Sequence, residues 1–142
     1  MIYLKSTEEV DRIRVAAGVV SEALDMIEEM VIPGMTTEDI DTRIERFIRD
    51  AGGVPAFLGY QGYPASSCIS LNDEVVHGIP TSKRVLRDGD IVGVDIGVKL
   101  DGYFGDSART FAVGSITPDT QKLLDVTRDA LDLGIREAKV GN

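Results

Sequence analysis

Apolar positions recur at helical spacing twice before residue 52, and then the chain switches to short strand-like runs. Val10, Ile13, Ala17, Val20, Leu24, Ile27 and Val31 follow one another at alternating intervals of three and four, the period of one helix face. Ser6 and Glu9 ahead of them have the Ser-x-x-Glu spacing of a capping box, and Pro33-Gly34 closes the element. A second helix is expected from Thr36 or Thr37, with Glu38 and Asp39 favourable in its first turn. Ile40, Ile44, Phe47, Ile48 and Ala51 form its apolar face, and Gly52-Gly53 ends it. Strand-like runs follow at Pro55–Tyr60, Ser66–Leu71, Glu74–Gly78, Ile91–Val98 and Tyr103–Val113, separated by Gly, Pro, Asn and Asp. Thr117-Pro118 suits the start of a third helix, with Leu123, Leu124, Leu131 and Ile135 on its apolar side. Helices followed by neighbouring strands predict an α+β domain built on an antiparallel sheet.

The segment starting at Glu22, EALDMIEEMVIPGM, resembles the segment starting at Asp129, DALDLGIREAKVGN, at one constant offset. Leu24 matches Leu131 and Gly34 matches Gly141. Two readings stay open: an internal repeat, or the general likeness of acidic amphipathic helices. A repeat implies one full αβ unit followed by the opening helix of a second.

Composition narrows the function. A chain of 142 residues fits one domain with a real core. The formal net charge of −9 argues against non-specific contact with nucleic acid or an anionic membrane, so neither is expected as a partner. Cys68 is the single cysteine, which excludes an internal disulfide and points to a reducing compartment. No run approaches the length of a membrane span, and the first residues have no signal-peptide core, so a cytoplasmic location is expected.

Two carboxylates stand out. Asp95 and Asp106 lie inside IVGVDIGVKLDGYFGD, where apolar and glycine residues otherwise dominate. A hairpin turning near Lys99–Gly102 allows two registers. One sets Asp95 opposite Asp106, the other sets it opposite Ala108 with Asp106 diagonal, and in both the carboxylates share a face. Like charges so close are destabilising unless one is protonated or a cation lies between them. Either this face is open to solvent, or the pair binds metal or does catalysis; the apolar flanks suggest that both faces of Ile91–Val98 are buried. Hard oxygen ligands suit Mn²⁺ or Mg²⁺, or a mixed Zn²⁺, Fe²⁺ or Co²⁺ site, but two carboxylates need further ligands. His77, the one histidine, reads either as a hydrogen-bonded residue at a strand end or as a donor and proton shuttle at a cleft rim beside Gly78-Ile79-Pro80.

NDEVVHGIP, followed at the right distance by DGDIVGVDIGVKLDGYFGDSARTF, resembles the type I methionine aminopeptidases. PAFLGYQGYPASSCISLN and the IPGMTT break between the first two helices extend the resemblance over essentially the whole chain. The resemblance implies the pita-bread fold, two pseudo-symmetric αβ halves around an antiparallel sheet with helices on one face. It implies metal-dependent removal of N-terminal methionine from nascent proteins or peptides, with two divalent ions (Mn, Fe, Co or Zn) between the halves. Asp95 and Asp106 would be metal ligands, Asp106 bridging. His77 would contact substrate near the scissile peptide, and Phe57, Tyr60, Tyr63 and Cys68 would line the methionine pocket, positions that ordinary core packing would fill equally well.

The same resemblance puts a metal-binding histidine, two metal-binding glutamates and a further histidine in a second half. With His77 as its sole histidine, this chain is expected to be a fragment, the first half of the fold. Residues 1–113 would form the first unit and residues 114–142 the opening helix of the second. Such a chain should bind metal weakly and be inactive alone. The alternative is a half-fold that self-associates through its exposed sheet face, as a structural or peptide- or metal-binding module without catalysis.

Overall fold

The computed structural model describes residues 2–142. Helix α1 spans Thr7–Glu28 and helix α2 spans Thr37–Asp50. Both begin in capping boxes. The Ser6 hydroxyl accepts from the Glu9 amide while the Glu9 carboxylate accepts from the Ser6 amide, and Thr36 and Asp39 exchange the same two bonds. Each box satisfies two amides that a helix start leaves unpaired.

Four strands form one antiparallel sheet: β1 (Val54–Pro55), β2 (Ser67–Leu71), β3 (Ile91–Leu100) and β4 (Tyr103–Ala112). The strand β3 is central. Both β1 and β2 pair along one of its edges and β4 pairs along the other. The β3–β4 hairpin closes between Leu100 and Tyr103 over Asp101-Gly102, whose φ angles are 48° and 85°. Two successive left-handed residues make the tight turn whose twist matches the strands, and Asp-Gly is a favoured pair for it. The turn selects the second of the two expected registers: Asp95 faces Ala108 and Asp106 faces Gly97.

One face of the sheet is covered by the helices. Val92, Val94, Ile96 and Val98 of β3 are fully buried with Ile69 of β2, Val20 and Ile27 of α1, and Ile40, Ile44 and Ile48 of α2. Helix α1 sits so close to β4 that a Cβ added at Gly105 would lie 2.5 Å from the Ala17 amide nitrogen. Helix α3 (Pro118–Glu137) starts at Thr117 with Pro in its first turn, as expected, but buries none of its residues.

Several expectations are corrected. The α1 core stripe is Ala16, Val19, Val20, Ala23, Leu24 and Ile27, while Val10 is 41% exposed and Ala17 is exposed. In α2, Ala51 lies outside the core as an exposed C-cap. Of Pro55–Tyr60 only Pro55 is strand, and Glu74–Gly78 is not a strand at all. Val75 and Val76 there point to solvent, so an apolar run does not mark a strand when nothing covers it. The two faces of β3 are also unequal. The face carrying Asp95 is only partly covered, and Asp106 beside it is exposed.

Candidate metal centre and substrate cleft

The face of the sheet away from the helices forms the wall of a cleft of about 680 Å³. Asp95 projects onto that face from the middle of β3. Cys68 of β2 stands directly opposite it on one side and Ala108 of β4 on the other. Asp106 lies diagonal to Asp95 on the same face, two residue pairs further along the hairpin. A Cβ at Gly97 would lie 2.4 Å from the Phe57 ring, so the missing side chain lets that ring pack against the strand. The loop Phe57–Pro64 wraps the cleft through a short 3-10 turn at Tyr60–Gly62, and His77 and Ile79 form its rim.

All seven residues singled out from sequence, Phe57, Tyr60, Tyr63, Cys68, His77, Asp95 and Asp106, line this one cleft. They differ in setting. Cys68 is buried at 6% exposure, Phe57, Tyr63 and Asp95 are half-buried, and Tyr60, His77 and Asp106 are exposed.

The electrostatics centre on Asp95. Its Oδ1 is buried and has no hydrogen-bond partner among the described residues. Burial foremost, and then the charge of Asp106, raises the Asp95 carboxyl above the usual carboxylate range, while His77 partly offsets the rise. An ionised oxygen in that position carries a desolvation cost with no compensating bond. A dication held between Asp95 and Asp106 would remove both penalties, and two hard carboxylates suit one. The fit is partial: among the described residues no group of three or more His, Cys, Asp or Glu side chains converges on one point.

Away from Asp95 and Asp106 the cleft walls are mainly apolar. Burial raises both the Cys68 thiol and the Tyr63 phenol, and the carboxylates of Asp41 and Asp95 add to the rise in each. Both groups therefore stay protonated at neutral pH. An uncharged lining of aromatic rings and a thiol suits an apolar or thioether side chain.

Three supporting features escape sequence reasoning. Asp41 of α2 accepts from the amides of Ser66 and Ser67, at 3.1 and 2.8 Å, and from the Ser67 hydroxyl at 2.6 Å. It thereby fixes the start of β2 and the position of Cys68. His77 adopts a left-handed φ of 62°, unusual outside glycine. Its neighbour Gly78 lies against β2 so closely that a Cβ there would fall 2.1 Å from the Ile69 carbonyl oxygen. A polar residue inside an amphipathic helix, such as Asp41, gives no local sign of so distant a partner.

No helix among the described residues is long and apolar enough to cross a membrane. The model of metallopeptidase family M24 matches residues 11–142. The chain is 46% identical over 142 residues to methionine aminopeptidase of Clostridium acetobutylicum, covering all of this chain and 57% of that protein. It is 47% identical over 141 residues to methionine aminopeptidase 1 of Bacillus subtilis, covering 99% of this chain and 56% of that one. The crystal structure of methionine aminopeptidase from Thermotoga maritima matches with a TM-score of 0.95 at 37% identity, over 98% of this chain and 56% of that one. The architecture is that of the pita-bread metallopeptidases, and the chain spans little over half the length of the curated relatives it matches.

Proposed function

The chain belongs to metallopeptidase family M24, and from that premise we propose that it supplies part of a methionine aminopeptidase site. Its share is the methionine pocket, the substrate-facing histidine and two metal-binding carboxylates. The observation that carries this reading is the buried Oδ1 of Asp95, without a hydrogen-bond partner among the described residues, beside Asp106 in a largely apolar cleft. Phe57, Tyr60, Tyr63 and Cys68 take the thioether side chain. His77 at the rim donates a hydrogen bond near the scissile peptide. Asp95 and Asp106 would hold divalent metal of the Mn, Fe, Co or Zn class. When bound, such ions acidify a water and polarise the substrate carbonyl. Metal held there would also take up the free amino group of the substrate, which would restrict cleavage to the first residue. Substrates on this reading are N-terminal methionine peptides or nascent chains in the cytoplasm.

Two carboxylates bind a dication weakly, so this chain by itself is expected to show little or no turnover. We take residues 1–113 as one αβ unit and α3 as the opening of the next, because α3 buries nothing against the rest.

The test is methionine release from a Met-Ala-Ser peptide with added Mn²⁺ or Co²⁺, using Asp95→Ala as control. Metal-dependent release that the substitution abolishes supports the reading. Metal binding by calorimetry that is identical in Asp95→Ala and the unmodified chain counts against it.

A second reading has its own observation. Leu123, Val126, Leu131, Leu133 and Ile135 of α3 are each more than half exposed, and so is Phe104 on the open sheet face. Such surface favours self-association, with a second copy covering the open face. A monodisperse monomer in light scattering at micromolar concentration would sink this reading and leave the first untouched.

A further inference from the structure

We propose that the Tyr63 hydroxyl is a positioning group that ties the segment carrying His77 to the strand end forming the pocket wall. The inference rests on the reading of the cleft as a substrate site. The Tyr63 ring lines the cleft, but its hydroxyl is engaged elsewhere. It lies 3.0 Å from the Ser67 carbonyl oxygen and 3.3 Å from the Gly78 carbonyl oxygen, and can donate to either. Those two acceptors belong to separate segments, the start of β2 and the His77 loop. An apolar wall alone requires only a phenyl ring. A phenol set between two backbone carbonyls does something more.

His77 needs such support. Its left-handed backbone is a conformation that a residue with a side chain adopts only when its surroundings impose it. On the N-terminal side Val75 and Val76 are 90% and 61% exposed, and the nearest anchor is Glu74, whose amide donates to the Leu71 carbonyl and whose carboxylate pairs with Arg84. The His77 ring is itself exposed. The constraint adjacent to His77 comes from Gly78. Its carbonyl accepts from the Ile69 amide at 2.8 Å, and its amide donates to the Ser70 hydroxyl at 3.0 Å. Tyr63 is the third tie and the only one of the three from a side chain that lines the cleft. A side chain filling the pocket presses on the Tyr63 ring, and the hydroxyl of that ring bears on the residue next to His77. Pocket filling and histidine placement are thus mechanically linked.

Tyr63→Phe keeps the ring and removes the tie. Losing one hydrogen bond of ordinary strength corresponds to a roughly fivefold change in a local equilibrium. Amide hydrogen exchange at Ile69 and Gly78 should accelerate by about that factor. The backbone coupling constant of His77 should drift from its left-handed value. Where methionine release is measurable, kcat should fall about fivefold with KM changed less than twofold. Ser70→Ala, which cuts a different tie to Gly78, should reproduce the exchange effect with the Tyr63 hydroxyl intact. Unchanged exchange and coupling in Tyr63→Phe would overturn the proposal, as would a raised KM with kcat intact. The exchange readout needs neither metal nor turnover. Faster exchange in Tyr63→Phe, together with metal binding that is identical in Asp95→Ala and the unmodified chain, would uphold the tie and count against the aminopeptidase reading instead.

Discussion

Asp95→Asn separates what the fold needs from what the metal needs. In metal-free buffer at pH 7 the Asp95 carboxylate has a buried oxygen without a partner among the described residues and a second carboxylate diagonal to it. Diagonal cross-strand neighbours lie about 7 Å apart. Two unit charges at that distance repel by about 2.4 kcal/mol at an effective dielectric of 20 and by about 0.6 kcal/mol in water. Asp106 is exposed, so about 1 kcal/mol is the reasonable figure. The amide still has a buried oxygen, but a neutral one, whose unmade bond costs less than that of a charged one. The substitution should therefore stabilise the metal-free protein by about 1–2 kcal/mol, a rise in Tm of about 3–6 °C for a chain of this size. Thermal melts followed by circular dichroism, with a chelator present, measure it directly.

The same variant should respond oppositely to metal. Unmodified protein gains RT ln(1 + [metal]/Kd), about 1.4 kcal/mol at ten times Kd, and the variant gains much less. Adding Mn²⁺ should close or reverse the difference in Tm. The pH dependence has a fixed sign. Because burial raises the folded carboxyl above its unfolded value, the folded state binds this proton more readily. The penalty is absent below the ordinary range near pH 4, sets in as pH rises through the raised folded value, and is complete above it. The advantage of the variant should shrink as pH falls from 7 toward 4. A metal-free variant that melts lower than the unmodified protein, or equal metal stabilisation of both, would refute the reasoning.

Asp41→Ala leaves the buried Ser66 and Ser67 without their carboxylate acceptor and should lower stability by about 3 kcal/mol, near 9 °C in Tm. Gly105→Ala forces a methyl group into the α1 backbone at Ala16 and Ala17 and should cost about 2–3 kcal/mol in a denaturant titration. Gly97→Ala instead meets the Phe57 ring, which can swing into the cleft. Its Tm should move little, while affinity for a methionine side chain, measured by calorimetry with a methionine analogue, drops about tenfold. Leu123→Glu with Leu131→Glu should leave the melting temperature unchanged, since α3 buries nothing, and should reduce any association seen by sedimentation.

Local signals proved the most legible in the sequence. Ser6-x-x-Glu9 and the Thr36 cap mark both early helices because a capping box is complete within four residues. The β3–β4 hairpin was legible too, and Asp101-Gly102, read as a two-residue turn, would have decided the register. What failed depended on coverage. Glu74–Gly78 is apolar enough for a strand but has no neighbour to pair with across Val75 and Val76. The α1 stripe shifted from Ala17 to Ala16 because the helix turns toward Gly105, a contact that helical periodicity cannot report. The seven cleft residues were identified from the resemblance and from the odd placement of two acids, whereas the bonds from Ser67 to Asp41 and from the Tyr63 hydroxyl to Gly78 cross 26 and 15 residues of sequence, which no local pattern spans.

The strand β3 explains why its sequence reads as nearly continuous apolar residue. Its even positions, Val92, Val94, Ile96 and Val98, are all fully buried and bind the sheet to both helices. Its odd positions, Gly93, Asp95 and Gly97, do nothing for that core. Gly97 admits the Phe57 ring, and Asp95 presents a carboxylate to the cleft. The alternation of side chains along a strand lets one segment serve both tasks without conflict. It also determines how damage should divide. Truncation of an even residue opens a core cavity and unfolds the chain with its site. Substitution of an odd residue should change metal or side-chain affinity while the fold persists, as the Asp95 and Gly97 variants should. A carboxylate in the middle of a well-formed strand therefore costs the metal-free fold only about 1–2 kcal/mol, because the face on which it sits is not the one that holds the chain together.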